Sequence, residues 1–408
     1  MPEPTAPTAE TTGWVPDVLD GFEQLTLPLA PDDEGDVVAT LVRRRRATGD
    51  AAGATLHGGA RPAGVRDRGI DVLYVHGWSD YFFQTGLADF WEDQGARFFA
   101  LDLRKYGRSL RPGQTSGFVT ELSTYDEDIE AALAAMGHGV LTADPVMRER
   151  GLVLMGHSTG GLTLSLWTAR NQARVAGLVL NSPWLEFQAR DIGRKVLAPA
   201  IALQARLDPR VPLPQVDLGF YTRSVSRTLD GEWDYDLTWR PVRGFVVHGG
   251  WLNAVLRGQA AVELGLGIAV PVLVLLSTSS TLLPRWTPEM MHSDTALDVV
   301  GIARRSTDLG TLVVLARIAG ALHDVVLSAA PVRAAAYEQI ATWVHGYVPE
   351  PEPEPVSGPG SDEAATGVGA WAPVRWARST AGAVGASVRG WAARARGPRG
   401  SRARSTQA

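Results

Sequence analysis

No cysteine occurs anywhere in the 408 residues. Disulfides, a thiolate nucleophile and thiolate metal sites are excluded together, and a cytoplasmic protein is the expectation. No apolar run approaches the roughly eighteen residues a transmembrane helix needs. The stretch Met1–Thr12 has neither a basic start nor an apolar core, so it does not read as a secretory signal. Acidic residues stop at Glu363, whereas eight arginines stand between Arg375 and Arg404. The first 370 residues then hold 31 basic against 44 acidic residues. Such an acidic body gives no reason to expect a nucleic-acid partner. Missing too are a phosphate-binding Gly-x-x-x-x-Gly-Lys-Ser/Thr and a His-Glu-x-x-His, and Gly265-Leu266-Gly267 lacks a third, correctly spaced glycine. No cofactor and no metal is called for.

What is present is an alternation. Short apolar runs recur at Val72–Val75, Phe98–Leu101, Leu152–Met155, Gly177–Leu180, Val272–Leu276 and Leu312–Leu315. Runs of four or five apolar residues without a period of two are strands buried on both faces. Helix-compatible stretches lie between them, including Glu127–Ala135, Leu162–Asn171, Val299–Arg305 and Val332–His345. This order predicts a mostly parallel sheet flanked by helices. Two β-rich segments, Glu23–Leu29 and Val37–Val42, precede it around the turn-prone Pro31–Gly35. The rhythm breaks once, over 183–267, where an inserted and largely helical cap is expected. Residues 1–20 are expected to be a flexible lead, 21–348 the main domain, and 349–408 a Pro/Glu linker with a disordered tail. The tail carries Trp371, Trp376 and Trp391 among its arginines, but its many Gly and Ala residues make a feeble apolar face. Solvated disorder, rather than membrane contact, is the expectation.

The chemistry concentrates at Gly156-His157-Ser158-Thr159-Gly160-Gly161, between a strand run and a helical stretch. Gly-x-Ser-x-Gly in strand–turn–helix context is a nucleophile elbow, with Ser158 on a turn too tight for side chains at its glycines. The helix that follows aims its first amides at a developing oxyanion. A second amide should come from the loop after an earlier strand, and His76-Gly77-Trp78 follows Val72–Val75 directly. The backbone N–H groups of Trp78 and Thr159 are therefore the expected oxyanion donors, with His76 an anchor of its loop and not a base. His323, in Gly320-Ala321-Leu322-His323-Asp324, follows the last strand run and is the expected base. No carboxylate follows Val272–Leu276 directly. Asp294, just ahead of the helix at Val299, is the candidate acid and Asp298 its competitor.

These segments, with Asp102-Leu103-Arg104-Lys105-Tyr106-Gly107-Arg108-Ser109, resemble the monoacylglycerol lipase / lysophospholipase group of α/β-hydrolases, whose wider set is termed serine aminopeptidase-like. The resemblance implies an α/β-hydrolase fold and hydrolysis of a small-molecule ester beneath a cap. In that family the acid sits in a Ser-Ala-Asp-x-x-x-Asp turn, whose first aspartate falls on Asp294 and second on Asp298. The segment Thr278–His292 is extra relative to the family. Apolar cap residues such as Leu197, Phe220, Trp251 and Leu252 suit a lipophilic substrate. Acyl transfer, amide cleavage or a non-catalytic binding role on the same fold remain the alternatives.

Overall fold

The computed structural model describes residues 13–45, 65–139, 150–187, 191–214 and 217–349, with the side chains of 191–198 excepted. Nine strands form one sheet in the order β1-β2-β3-β5-β4-β6-β7-β8-β9. β1 (Val15–Pro16), β2 (Phe22–Asp32) and β3 (Gly35–Arg44) make an antiparallel edge. Next come β5 (Arg97–Asp102), β4 (Ile70–Val75), β6 (Gly151–His157), β7 (Gly177–Asn181), β8 (Val272–Ser277) and β9 (Val313–Ile318), all mutually parallel. Eight described helices accompany them: α1 (Thr85–Asp93), α2 (Tyr125–Met136), α3 (Ser158–Arg170), α4 (Asp191–Leu207), α5 (Phe220–Val225), α6 (Gly249–Glu263), α7 (Val299–Arg305) and α8 (Ala330–Tyr347). None of the described helices is long and apolar enough to cross a membrane.

The strand runs lack alternation because both faces of the sheet are covered. Leu73, Val75, Leu154, Leu180 and Val274 enter one core with α2, α3 and α6, while Val72, Tyr74, Val153, Val179 and Leu273 enter a second with α1 and α8. Each such side chain, fully buried, contributes about 1.5–3 kcal/mol. Chain direction around the sheet reverses at β4, which has β5 on one side and β6 on the other. Loops leaving the carboxyl ends of β4 and β6 therefore diverge, and the crevice between them is where an open α/β sheet binds its ligand.

The lead segment needs correcting. Residues 13–20 are built into the fold: β1 pairs with β2, Trp14 lies under the Arg43 guanidinium at 3.8 Å, and the buried Asp17 carboxylate binds Arg108 through contacts of 2.6 and 2.8 Å. Two residues are too short a strand for a period to register, and Asp17 finds its partner ninety-one residues away. Residues 1–12 and 350–408 lie outside the described residues. The stretch 183–267 carries α4, α5 and α6. Its last helix, α6, buries Trp251, Ala254, Val255 and Val262 in the main core, as the crossover from β7 to β8 requires.

Candidate active site

Ser158 is the first residue of α3, directly after β6, with φ of +51°. That left-handed conformation strains a non-glycine residue, and surroundings must hold it. The glycines around it are sterically required. A Cβ on Gly156 would lie 2.7 Å from the Gly160 carbonyl oxygen and from Gly161 N, and one on Gly160 would press on the carbonyl oxygens of Val75 and His76. The Ser158 carbonyl accepts from Trp184 N at 3.0 Å. Together these contacts fix the serine at the mouth of the β4/β6 crevice.

His323 arrives on the loop after β9, its Nε2 3.2 Å from Ser158 Oγ. Its Nδ1 is 2.9 Å from Asp294 Oδ2. Asp294 is fully buried, and its other oxygen accepts from Ala296 N at 2.8 Å and Leu297 N at 2.7 Å. The extra segment does not displace this acid. Asp294 N donates to Ser279 O at 3.0 Å and Thr281 N donates to Asp294 O at 2.8 Å. Residues 282–293 are thus an excursion whose two ends meet beside the end of β8. Asp298 is elsewhere: its exposed carboxylate caps α7, accepting from Val300 N at 3.0 Å.

The loop 76–78 packs against the elbow, since a Cβ on Gly77 would come 3.0 Å from Ser158 Cβ. The amide of Trp78 is carried by this loop, and Thr159 N belongs to the first turn of α3, whose amides lack intrahelical partners. His76 ties the loop down. Its Nδ1 donates to Gly77 O at 2.7 Å while Nε2 accepts from Leu103 N at 3.1 Å, and burial lowers its pKa, so it stays neutral. The Trp78 ring meets Trp251 at 3.6 Å between centroids and Phe245 at 5.7 Å, with Trp184 6.1 Å from Trp251. Leu252 is buried in the same core. Phe220 instead meets Trp286 at 5.9 Å, and the side chain of Leu197 lies outside the described residues.

Several residues around His323 drew no attention in the sequence. Asn181, at the end of β7, donates from Nδ2 to Asp324 Oδ1 at 2.6 Å and accepts from Val325 N at 3.0 Å, pinning the loop that carries His323. A polar residue closing the apolar run Gly177–Leu180 was the available signal. The His157 ring lies 4.8 Å from that of His323, and burial pushes its pKa down to about 4. His157, Asp80 and Asp324 each bring a buried donor atom within 4.8 Å of the others. Both oxygens of Asp324 are already engaged, by Asn181 and Val326 N at one and Gln84 at the other. Asp80 faces the guanidinium of Arg240 at 3.0 Å. A cluster balanced in this way fits an internal ion pair better than a metal.

The serine-aminopeptidase family model, S33, matches residues 69–292, more than half of the chain. The chain belongs to this family of α/β-hydrolases. The matched span holds Trp78, Ser158 and Thr159 but ends two residues before Asp294, so the S33 match says nothing of the acid or the base. Among solved structures the chain is similar to a soluble variant of monoglyceride lipase from Saccharomyces cerevisiae bound to a substrate analogue, at 17% identity and a TM-score of 0.52, over 79% of this chain and 96% of that one. It is similar also to the monoacylglycerol lipase of Paleococcus ferrophilus, at 17% identity and a TM-score of 0.52, over 69% and 96% of the two chains. At such identities the likeness is one of fold. No curated protein matches the chain. As an S33 member with this fold, the protein is a serine hydrolase.

Proposed function

We propose that the protein hydrolyses carboxylic esters of lipophilic, monoacylglycerol- or lysophospholipid-like character, through an acyl-enzyme on Ser158. The observation that carries this reading is the run of contacts from Ser158 Oγ to His323 Nε2 and from His323 Nδ1 to Asp294. Ser158 Oγ attacks the ester carbonyl carbon as His323 Nε2 takes its proton. The carbonyl oxygen gains the negative charge, facing the amides of Trp78 and Thr159. Asp294 holds the ring so that Nε2 is the bare nitrogen, and steadies the imidazolium. His323 then gives the proton to the departing alkoxide, and water, activated by the same nitrogen, releases the acid.

The half-buried ring of Trp78, packed on the core rings of Trp251 and Phe245, supports a lipophilic group in the substrate. Cleavage of an N-terminal residue would need a free anion for the substrate ammonium. The buried acids beside His157 are committed to Arg240 and to the Asn181 cluster, which favours the ester reading. We take the cap to be the part of 183–267 that precedes α6, and the cytoplasmic location rests on the cysteine-free composition alone. Hydrolysis of short-chain p-nitrophenyl esters by wild type and Ser158→Ala, with fluorophosphonate labelling of both, tests the assignment. Turnover and labelling are expected to vanish in the variant; labelling that persists there refutes Ser158.

A further inference from the structure

Between α5 and α6 the chain lays down an aromatic strap, Trp233 to Arg240, on the loop that leaves β4. Tyr81 Oη accepts from Asp236 N at 2.7 Å, Tyr81 meets Trp239 at 5.1 Å, Phe83 meets Tyr235 at 4.9 Å, and Trp233 Nε1 donates to Leu327 O at 2.8 Å. At its end Arg240, 3% exposed, turns inward. Its Nε sits 3.0 Å from Asp80 Oδ1, and its guanidinium lies over the rings of Tyr235 at 4.6 Å and Tyr221 at 4.8 Å.

Two features make these contacts matter to the reaction. Asp80 is two residues past Trp78, and the residue between them, Ser79, is a buried non-glycine with φ of +51°. Such a turn persists only where neighbours over-determine it. On the other side, the Tyr221 ring stands edge-on to His323 at 5.1 Å. One guanidinium thus touches the anchor of the Trp78 loop and the ring that backs the base.

We propose that Arg240 is a positioning residue, which through Asp80 and Tyr221 sets the Trp78 amide and His323 against Ser158 when the strap is seated. Burial lifts the Asp80 carboxyl to about 7 against the pull of Arg240, and neither Asp80 oxygen has a hydrogen-bond partner among the described residues, so the 3.0 Å ion pair with Arg240 is what holds it. Nη1 of Arg240 finds no acceptor among the described residues, which leaves Asp80 as the anion in contact with a buried cation. Lysine offers a point charge in place of the planar fork that stacks between two tyrosines.

The inference rests on the proposed ester hydrolysis, and the test keeps the two apart. Arg240→Met, Arg240→Lys, Asp80→Asn and the Asp80→Asn/Arg240→Met double variant are compared with wild type. The readouts are kcat and KM on p-nitrophenyl butyrate, the rate of Ser158 phosphonylation by a fluorophosphonate, and thermal stability. A misplacement of about 1 Å costs roughly 100-fold. Arg240→Met should lose about that factor in kcat and in phosphonylation, with KM within about twofold. Arg240→Lys should recover part of the loss, and the double variant should be no worse than the poorer single one. Should Arg240→Met not fold, the Arg240→Lys and Asp80→Asn rates carry the comparison. A folded variant that phosphonylates at the wild-type rate, or a loss carried by KM alone, overturns the assignment. Wild type that phosphonylates at Ser158 without turning over esters refutes the ester reading while the phosphonylation rates still judge Arg240; wild type that does neither overturns both.

Discussion

Replacing Asp294 by asparagine should cost about four powers of ten in kcat, and the local hydrogen bonds say why. Asp294 Oδ1 accepts two backbone N–H groups, from Ala296 at 2.8 Å and Leu297 at 2.7 Å. In Asp294→Asn the side-chain oxygen must stay there. Turning the NH2 group toward two donors would strand buried polar groups at about 1–3 kcal/mol each. The NH2 therefore faces His323 Nδ1, where the carboxylate oxygen now lies at 2.9 Å. Nδ1 has to accept, the ring proton moves to Nε2, and the nitrogen 3.2 Å from Ser158 Oγ can no longer take the serine proton. A wrong tautomer of this kind lowers kcat by about 10⁴, or about 5.5 kcal/mol in the barrier at about 1.36 per tenfold. Shape and two hydrogen bonds survive, so Tm should hardly move. Asp298→Asn is the control: its carboxylate caps α7 through Val300 N, a task asparagine performs as well, and kcat should stay within about twofold. Steady-state hydrolysis of p-nitrophenyl butyrate by the three proteins decides. Asp294→Asn retaining more than about a tenth of wild-type kcat, or Asp298→Asn losing most of it, refutes the reasoning.

Gly160→Ala sets helix propensity against space. Alanine gains about 1 kcal/mol in a helix, but its methyl would press on the Val75 and His76 carbonyl oxygens. The clash is with backbone oxygens that cannot swing away, so its cost should lie at the upper end, about 3 kcal/mol, leaving a net loss of about 2 kcal/mol in urea unfolding and slower phosphonylation of Ser158; equal or higher stability contradicts the packing argument. His157 predicts a pH dependence. Its folded pKa of about 4 lies below the unfolded value near 6.5, so its contribution is complete above about 6.5 and is lost as pH falls toward 4. Over that window wild type should lose about 3 kcal/mol relative to His157→Asn, and unfolding free energies of the two that run parallel would show the ring is not buried neutral.

The parallel strands were legible because burial on both faces writes an uninterrupted apolar run, as in Leu152–Met155 and Val272–Leu276. Ser158 was legible because the elbow leaves no room for side chains, which confines Gly156 and Gly160 to one residue type. His323 could be picked out from chain order, whereas Asp294 kept Asp298 as its competitor until contact with His323 told the two carboxylates apart. What the sequence withheld is contact at long range. α1 hides in the aromatic stretch Tyr81–Trp91, where Gln84 offers no side-chain cap bond. Asp17 reads as a loop residue until Arg108 is placed beside it, and Arg240 stands in a segment without period, 160 positions from its partner Asp80. Asn181 ends its strand run with no spacing to mark it.

Between β8 and Asp294 the chain makes a detour whose two ends meet. Loop closure grows only slowly in cost with length, about 0.6 kcal/mol per doubling. A detour of 282–293 is therefore tolerable wherever the hydrogen bonds of Ser279, Thr281 and Asp294 seal its base. The detour does not hang free: Trp286 packs on Phe220 at 5.9 Å and lies under the Arg223 guanidinium at 4.2 Å, both on α5. The same short helix carries Tyr221, edge-on to His323. α5 is thus held by the loop that leads into Asp294 on one side and leans on His323 through the other. Its seating, the strap that ends at Arg240 and the alignment of His323 form one packed unit. The segment that separates Asp294 from β8 in sequence joins α5 to Asp294 in space.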